Sequence, residues 1–279
     1  MKIRTFLFAL AAAAVVACGQ TPEEKVAAFD AEHDAMMEEF QTMMDSLSTD
    51  QAAAEAYYND FVEKYIEFNL ESAKKNADNE VAVKVLMNLR GLIDDAQVDE
   101  IISKMSEEML QNEQVAYLKN GLDARKATAE GQMFTDFTVE HVYGYDRSMD
   151  PQPLKQEVKF SDYVGNGKYV LVDFWSPWCG PCRREMPNIK SVYEQYKDKG
   201  LDVISLTVWE KKPQSHTFET AAELEMDWTV LTNCGNVPTD IYGVEGIPHL
   251  MLIGPDGTIL KRGFHGLEGI QAAVSEYLK

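Results

Sequence analysis

Hydrophobic positions in the first part of the chain recur every three or four residues. Val26, Phe29, His33, Met36, Phe40, Met43 and Leu47 alternate steps of three and four, a heptad seam that predicts a long helix after Pro22. Ala54, Tyr58, Phe61, Tyr65 and Phe68 repeat the pattern behind Asp50, a fitting N-cap. Asn76-Ala77-Asp78-Asn79 breaks it, and shorter helical stretches follow at 81–89, 98–110 and 115–127. No strand pattern of any length occurs in this region. His33 has no partner at ligand spacing and reads as a residue of the helix seam. The methionines at helical spacing (Met36, Met37, Met43, Met44, Met105, Met109) read as packing more than as an adaptable peptide-binding face.

From Gly131 the period changes. Residues 131–140 favour strand and turn, 146–153 read as loop, and 157–160 as a weak strand. An apolar run at 169–174 predicts a buried central strand. A helix follows from Cys179 to about Lys199 with Pro187 inside it, where a kink is expected, and Gly200 ends it. Strands are expected at 201–209 and 228–231, with helical segments at 213–224 and 237–242. The strand at 247–253 leads through Gly254-Pro255-Asp256-Gly257, a hairpin turn, to a partner at 258–262, and a helix over 267–279 closes the chain. Strand–helix–strand, then helix, hairpin and helix, predicts an α/β domain: a mixed sheet with helices on both faces, preceded by an all-α region.

The chain has 279 residues, room for two domains, and a formal charge of −20. Residues 1–130 hold 12 Lys/Arg against 25 Asp/Glu, so the acid is concentrated in the helical region. This charge argues against a nucleic-acid partner and against electrostatic docking on anionic lipid. Lys2 and Arg4 precede an eleven-residue apolar run, 6–16, too short to span a bilayer and typical of an export signal. Val15-Val16-Ala17-Cys18 resembles a bacterial lipobox. The resemblance implies cleavage of a 1–17 signal peptide and lipid attachment at Cys18, which would hold the protein to a bacterial envelope membrane, most simply facing the periplasm. The helical region would then be 18–128.

The four cysteines are Cys18, Cys179, Cys182 and Cys234. They are too few for a disulfide scaffold, and no histidine completes a metal site at familiar spacing, so no metal is expected. Cys179-Gly180-Pro181-Cys182 stands at a strand-to-helix turn. A helix N-terminus offers unpaired N–H groups and a positive dipole end, both of which favour a thiolate. Cys179 is therefore the expected nucleophile, and Cys182 lies close enough to resolve a mixed disulfide.

The stretch Trp178-Cys179-Gly180-Pro181-Cys182 resembles the thioredoxin-fold disulfide oxidoreductases, and within them the membrane-anchored TlpA/ResA type. The resemblance covers about 131–279, within a domain placed at 129–279, and is supported by Asp173, Pro187, Gly246-Ile247-Pro248 and the 254–257 hairpin. The helical lead-in is similar to that of Bacteroidetes-type thioredoxin lipoproteins. The resemblance implies a thioredoxin fold, a redox-active Cys179–Cys182 disulfide with no cofactor, and a cis Ile247–Pro248 bond beside it. It implies that Asp173, buried beneath, takes the proton of Cys182. Trp178, Gly180, Pro181, Ile247 and Pro248 would form the substrate-binding surface. Gly180-Pro181 matches reducing thioredoxins, at roughly −270 mV, which implies a reductase or isomerase of protein disulfides. The implied partners are protein thiols or disulfides and a membrane electron donor, with a dimer through the helical region as a further option.

Glu185, on the active-site helix, reads as a surface residue more than as a modulator of Cys179, and Cys234 as a free, partly buried thiol more than as a third redox cysteine that accepts the disulfide. A thiol peroxidase of the AhpC type fits poorly, because Gly-Pro separates two cysteines where a lone one is needed. An alternative of another class is a lipid-anchored assembly protein that works through its helices and keeps the thioredoxin fold as scaffold.

Overall fold

The computed structural model describes residues 20–279. Cys18 and the 1–17 leader lie outside the described residues. The described residues divide into two compact units, the first ending at 116 and the second spanning 117–279.

In the first unit, α1 (Pro22–Ser46) and α2 (Gln51–Lys75) are each 25 residues long. Thr21 and Glu24 cap α1 reciprocally, and the Asp50 side chain caps α2 through the Ala53 N–H. Phe29 stacks on Phe68, and His33 shares a hydrogen bond with Tyr65 at 3.0 Å, which places it on the helix seam. Further along, the inward positions are Met44 and Tyr57, whereas Met43 and Tyr58 are exposed. The seam expected through Met43 and Tyr58 is thus off by one residue at that end. No residue from 30 to 68 is fully buried. The unit's core sits under α3 (Glu80–Asn88) and α4 (Asp95–Lys104), around Val81, Val85, Leu86, Leu89, Ile101 and Ile102. A single turn, α5 (Glu107–Leu110), and the start of α6 (Glu113–Ala127) complete it.

The second unit takes in the rest of α6, and so begins upstream of the expected start at 129. Gly243 adopts φ +60°, and its α-carbon packs so close to Gly121 and Arg125 of α6 that an added Cβ would stand 2.5 Å from the Gly121 carbonyl oxygen. Arg262 donates to the Thr128 carbonyl and hydroxyl and to the Tyr242 carbonyl. These contacts bind 121–128 to the sheet.

β1 (Thr138–Tyr145) and β2 (Pro153–Lys159) form an antiparallel pair of their own. A 3-10 turn, Phe160–Asp162, leads to β3 (Tyr169–Trp175). Then come α7 (Gly180–Tyr196), β4 (Leu201–Val208), α8 (Gln214–Glu223), β5 (Thr229–Gly235), α9 (Val237–Tyr242), β6 (His249–Ile253), β7 (Ile259–Phe264) and α10 (Gly266–Ser275). The main sheet has the order β5-β4-β3-β6-β7; β3 is parallel to β4 and antiparallel to β6. It is the expected mixed sheet, with the thioredoxin arrangement around a central β3.

Alternation along β3 separates two apolar layers. Val170, Val172 and Phe174 pack with Phe137, Phe160, Leu206 and Tyr242. Leu171 and Trp175 face the other way, against Met186, Ile189 and Val192 of α7 and Ile270 and Val274 of α10. α7 continues through Pro187, and Gly200, in the left-handed region, terminates the turn that follows it.

Candidate active site

The site is built at the end of β3, where the strand stops and α7 starts. Cys179 is the N-cap of α7, and its Sγ accepts the Cys182 N–H at 3.1 Å. Cys179 and Cys182 form a disulfide. Cys179 is only 3% exposed in this oxidised form, and Cys182 is fully buried behind it among Leu171, Trp175 and Met186. Gly180 and Pro181 are exposed on the outer turn. The Ile247–Pro248 bond is cis, and the Ile247 carbonyl oxygen lies 3.7 Å from Cys179 Sγ. Trp178 is exposed, and its indole N–H donates to the Trp209 carbonyl at 2.9 Å.

Asp173 occupies the face of β3 that also carries Leu171 and Trp175, the face covered by α7. It is fully buried. In register it lies beside Ser205 of β4, whose hydroxyl donates to Asp173 Oδ2 at 2.8 Å. The Trp228 indole donates in turn to the Ser205 oxygen at 2.9 Å. Burial pushes the Asp173 carboxyl up to about 7; the Ser205 hydrogen bond works against that rise and the charge of Glu185 adds to it.

Glu185 is not the surface residue its sequence context suggests. It is buried, accepting the Gly266 N–H at 2.8 Å and the Asn188 amide at 3.3 Å. The reason is helical geometry: three residues after Cys182, it falls on the same inward stripe of α7, where α10 begins. Ser205 and Trp228 are the site residues that sequence reasoning missed, and Glu185 is one it named but placed at the surface. Ser205 was visible as a polar interruption in the apolar strand 201–208, and Glu185 by its spacing from Cys182.

His249 follows the cis-proline, stacks edge-on against Phe174, and lies 3.5 Å from an Arg262 nitrogen. Burial and the Arg262 charge hold it neutral, with its pKa down at about 4. Cys234, free and buried, sits at the end of β5. Burial, with Glu210 nearby, pushes its thiol well above the usual range, so it is no thiolate at neutral pH.

The arrangement is a dithiol/disulfide couple with a buried acid below it and the half-buried cis Ile247–Pro248 segment beside it, the equipment of a thiol–disulfide exchange protein. A model of the AhpC/TSA family matches residues 131–262. The thiol-disulfide oxidoreductase ResA of Bacillus thuringiensis subsp. konkukian is 30% identical over 126 residues, 44% of this chain and 68% of that protein. ResA of Halalkalibacterium halodurans is 30% identical over 145 residues, 52% of this chain and 74% of that one. A crystal structure of a thioredoxin-like protein from Bacteroides caccae superposes with a TM-score of 0.51 at 15% identity, over 81% of this chain and 83% of the other, a likeness of fold. The chain belongs to the family of the ResA thiol-disulfide oxidoreductases.

Proposed function

We propose that the protein reduces or isomerises disulfides of other proteins outside the cytoplasm, tethered to a bacterial envelope membrane by lipid at Cys18. The observation that carries the chemical part is the position of Cys179 Sγ, set between the Cys182 N–H and the Ile247 carbonyl at the start of α7. In the reduced form, that N–H and the helix terminus stabilise a Cys179 thiolate. The thiolate attacks one sulfur of a substrate disulfide; a bond forms from Cys179 to that sulfur, and the other leaves as a thiolate and is protonated. Cys182 then gives its proton to Asp173 and attacks Cys179 Sγ. The Cys179–Cys182 disulfide forms, and the second substrate sulfur departs. Two electrons pass from the cysteine pair to the substrate, and a reductant must restore the dithiol.

Asp173 suits its part because its carboxyl titrates near 7 and can both take and release a proton at neutral pH. Backbone around Ile247 and Pro248, with Trp178, Gly180 and Pro181, offers the surface on which the substrate strand lies. The electron donor fits a membrane protein, since the anchor would hold the dithiol near the bilayer. Export is supported by the 1–18 sequence pattern. A dimer through the helical region draws its support from Met37, Met43 and Tyr58, exposed along α1 and α2.

Insulin-disulfide reduction by the protein and by Cys179→Ser tests the chemistry. Wild type should precipitate insulin and the variant should not. Equal rates would remove the reading. A Cys182→Ala variant expressed in the native host should retain substrates as mixed disulfides.

A further inference from the structure

Next to the dithiol, the chain between β4 and α8 adopts an unusual path. Trp209 has φ +51°, a left-handed conformation that a bulky aromatic residue rarely takes. Such backbone persists only where its surroundings hold it, and it gathers at functional sites. Here the Trp209 N–H donates to the Gly235 carbonyl, and the Trp209 carbonyl accepts the Trp178 indole N–H. β5 is irregular at the same level: Asn233 and Gly235 have φ of +61° and +58°, and the β4–β5 register shifts between Leu206 and Val208. The outcome is that Lys211 is laid across Trp178, with its Nζ 3.8 Å from the ring centroid. Trp178 is 42% exposed beneath it.

The charges around this shelf are basic, in a chain that is acidic overall. The chain carries 46 Asp and Glu against 26 Lys and Arg. Lys211, Lys212 and Arg184 are nevertheless exposed, and none makes an ion pair among the described residues. Arg184 reaches over Gly180, its Nη1 3.6 Å from where a Cβ would stand. The nearby acids are engaged elsewhere. Glu223 pairs with Arg183, and Glu210 turns inward to accept from the Thr217 hydroxyl.

We propose that Trp178, Lys211 and Lys212 form a cationic, aromatic shelf that selects substrates bearing acidic residues beside the reactive cysteine. The inference rests on the thiol–disulfide exchange proposed above and names the substrate class for it. An acidic segment entering along Ile247 and Pro248 meets the Lys211 and Lys212 ammonium groups while its disulfide meets Cys179. The indole keeps Lys211 in place, so the charge is offered with little loss of side-chain freedom on binding.

The test uses the reduced full-length protein and three peptide disulfides that differ only in the two residues flanking the cysteine: Asp-Asp, Asn-Asn or Lys-Lys. The readout is the ratio of kcat/KM for the acidic peptide to that for the basic one, which is insensitive to the fraction of folded enzyme. Wild type should prefer the acidic peptide about tenfold at low ionic strength, and the preference should shrink to about twofold at about 0.5 M salt. In Lys211→Glu/Lys212→Glu the ratio should fall below one. If the double variant keeps the wild-type ratio, or wild type shows none, the shelf is overturned while exchange itself stands. If wild type fails to reduce even the Asn-Asn peptide, the proposed exchange function falls, and the shelf with it.

Discussion

Replacing Asp173 by Asn should stabilise the catalytic unit at alkaline pH and slow the exchange reaction. Asp173 is fully buried, with Ser205 as its hydrogen-bond donor. Its carboxyl titrates at about 7 in the fold against 3.8 when exposed. Below pH 4 the group is neutral in both states and costs nothing. As pH rises from 4 to 7, the unfolded chain releases the proton and the native chain keeps it, so native stability falls. The slope is about 1.4 kcal/mol per pH unit, and the whole loss is roughly 4 kcal/mol by pH 8. Asn has nearly the same shape and still accepts from Ser205, but it carries no charge. Variant and wild type should therefore unfold alike near pH 4 and diverge steadily up to pH 8, the variant being the more stable. All four tryptophans (175, 178, 209 and 228) lie in the second unit, so their fluorescence during urea unfolding reports that unit alone. Parallel stability curves for the two proteins between pH 4 and 8 would refute the burial argument. In the proposed exchange, the same variant leaves Cys182 without a proton acceptor. Release of a preformed mixed disulfide at pH 7 should slow about 100-fold, the ordinary worth of a positioned base.

Three further substitutions probe the frame around the site. Glu185→Gln removes the negative charge that helps hold the Asp173 proton, so the Asp173 titration, followed by its carboxyl infrared band, should move down; an unmoved midpoint would contradict the coupling. Gly243→Ala forces a Cβ to 2.6 Å from Arg125 Cγ at a positive φ and should cost about 3 kcal/mol, whereas Gly246→Ala, which meets nothing within 4 Å, should cost less than about 0.5 kcal/mol in the same unfolding assay.

What could be seen in the sequence was whatever local pattern carries. Asp173 interrupts an apolar run, the two cysteines stand where a strand gives way to a helix, and Gly254 to Gly257 is a turn by composition alone. Each of these positions appears in the structure at the expected place in its element. Contacts set by register were less legible. Ser205 stands out as polar, but only the pairing of β3 with β4 assigns it to Asp173. Glu185 reads as a helix-surface charge until α10 is known to start above it. The left-handed Trp209 has no signature in residue type, since its conformation is imposed by β5 and by the Trp178 indole. At the ends of α1 and α2 the inner face is narrow, and a one-residue error between Met43 and Met44 is enough to misplace a side chain.

The contacts of Gly121, Arg125 and Thr128 with Gly243 and Arg262 bear on how this chemistry could be transplanted. A graft cut at the change from helical to strand pattern would begin after Thr128 and remove the carbonyl and hydroxyl of Thr128 that accept from the Arg262 guanidinium. That arginine also neighbours His249, next to the cis-proline. The portable module is therefore longer than its pattern suggests. It carries the end of the preceding helix as a built-in clamp, and fusions that keep residues from 117 onward should preserve the geometry on which the reactive sulfur depends.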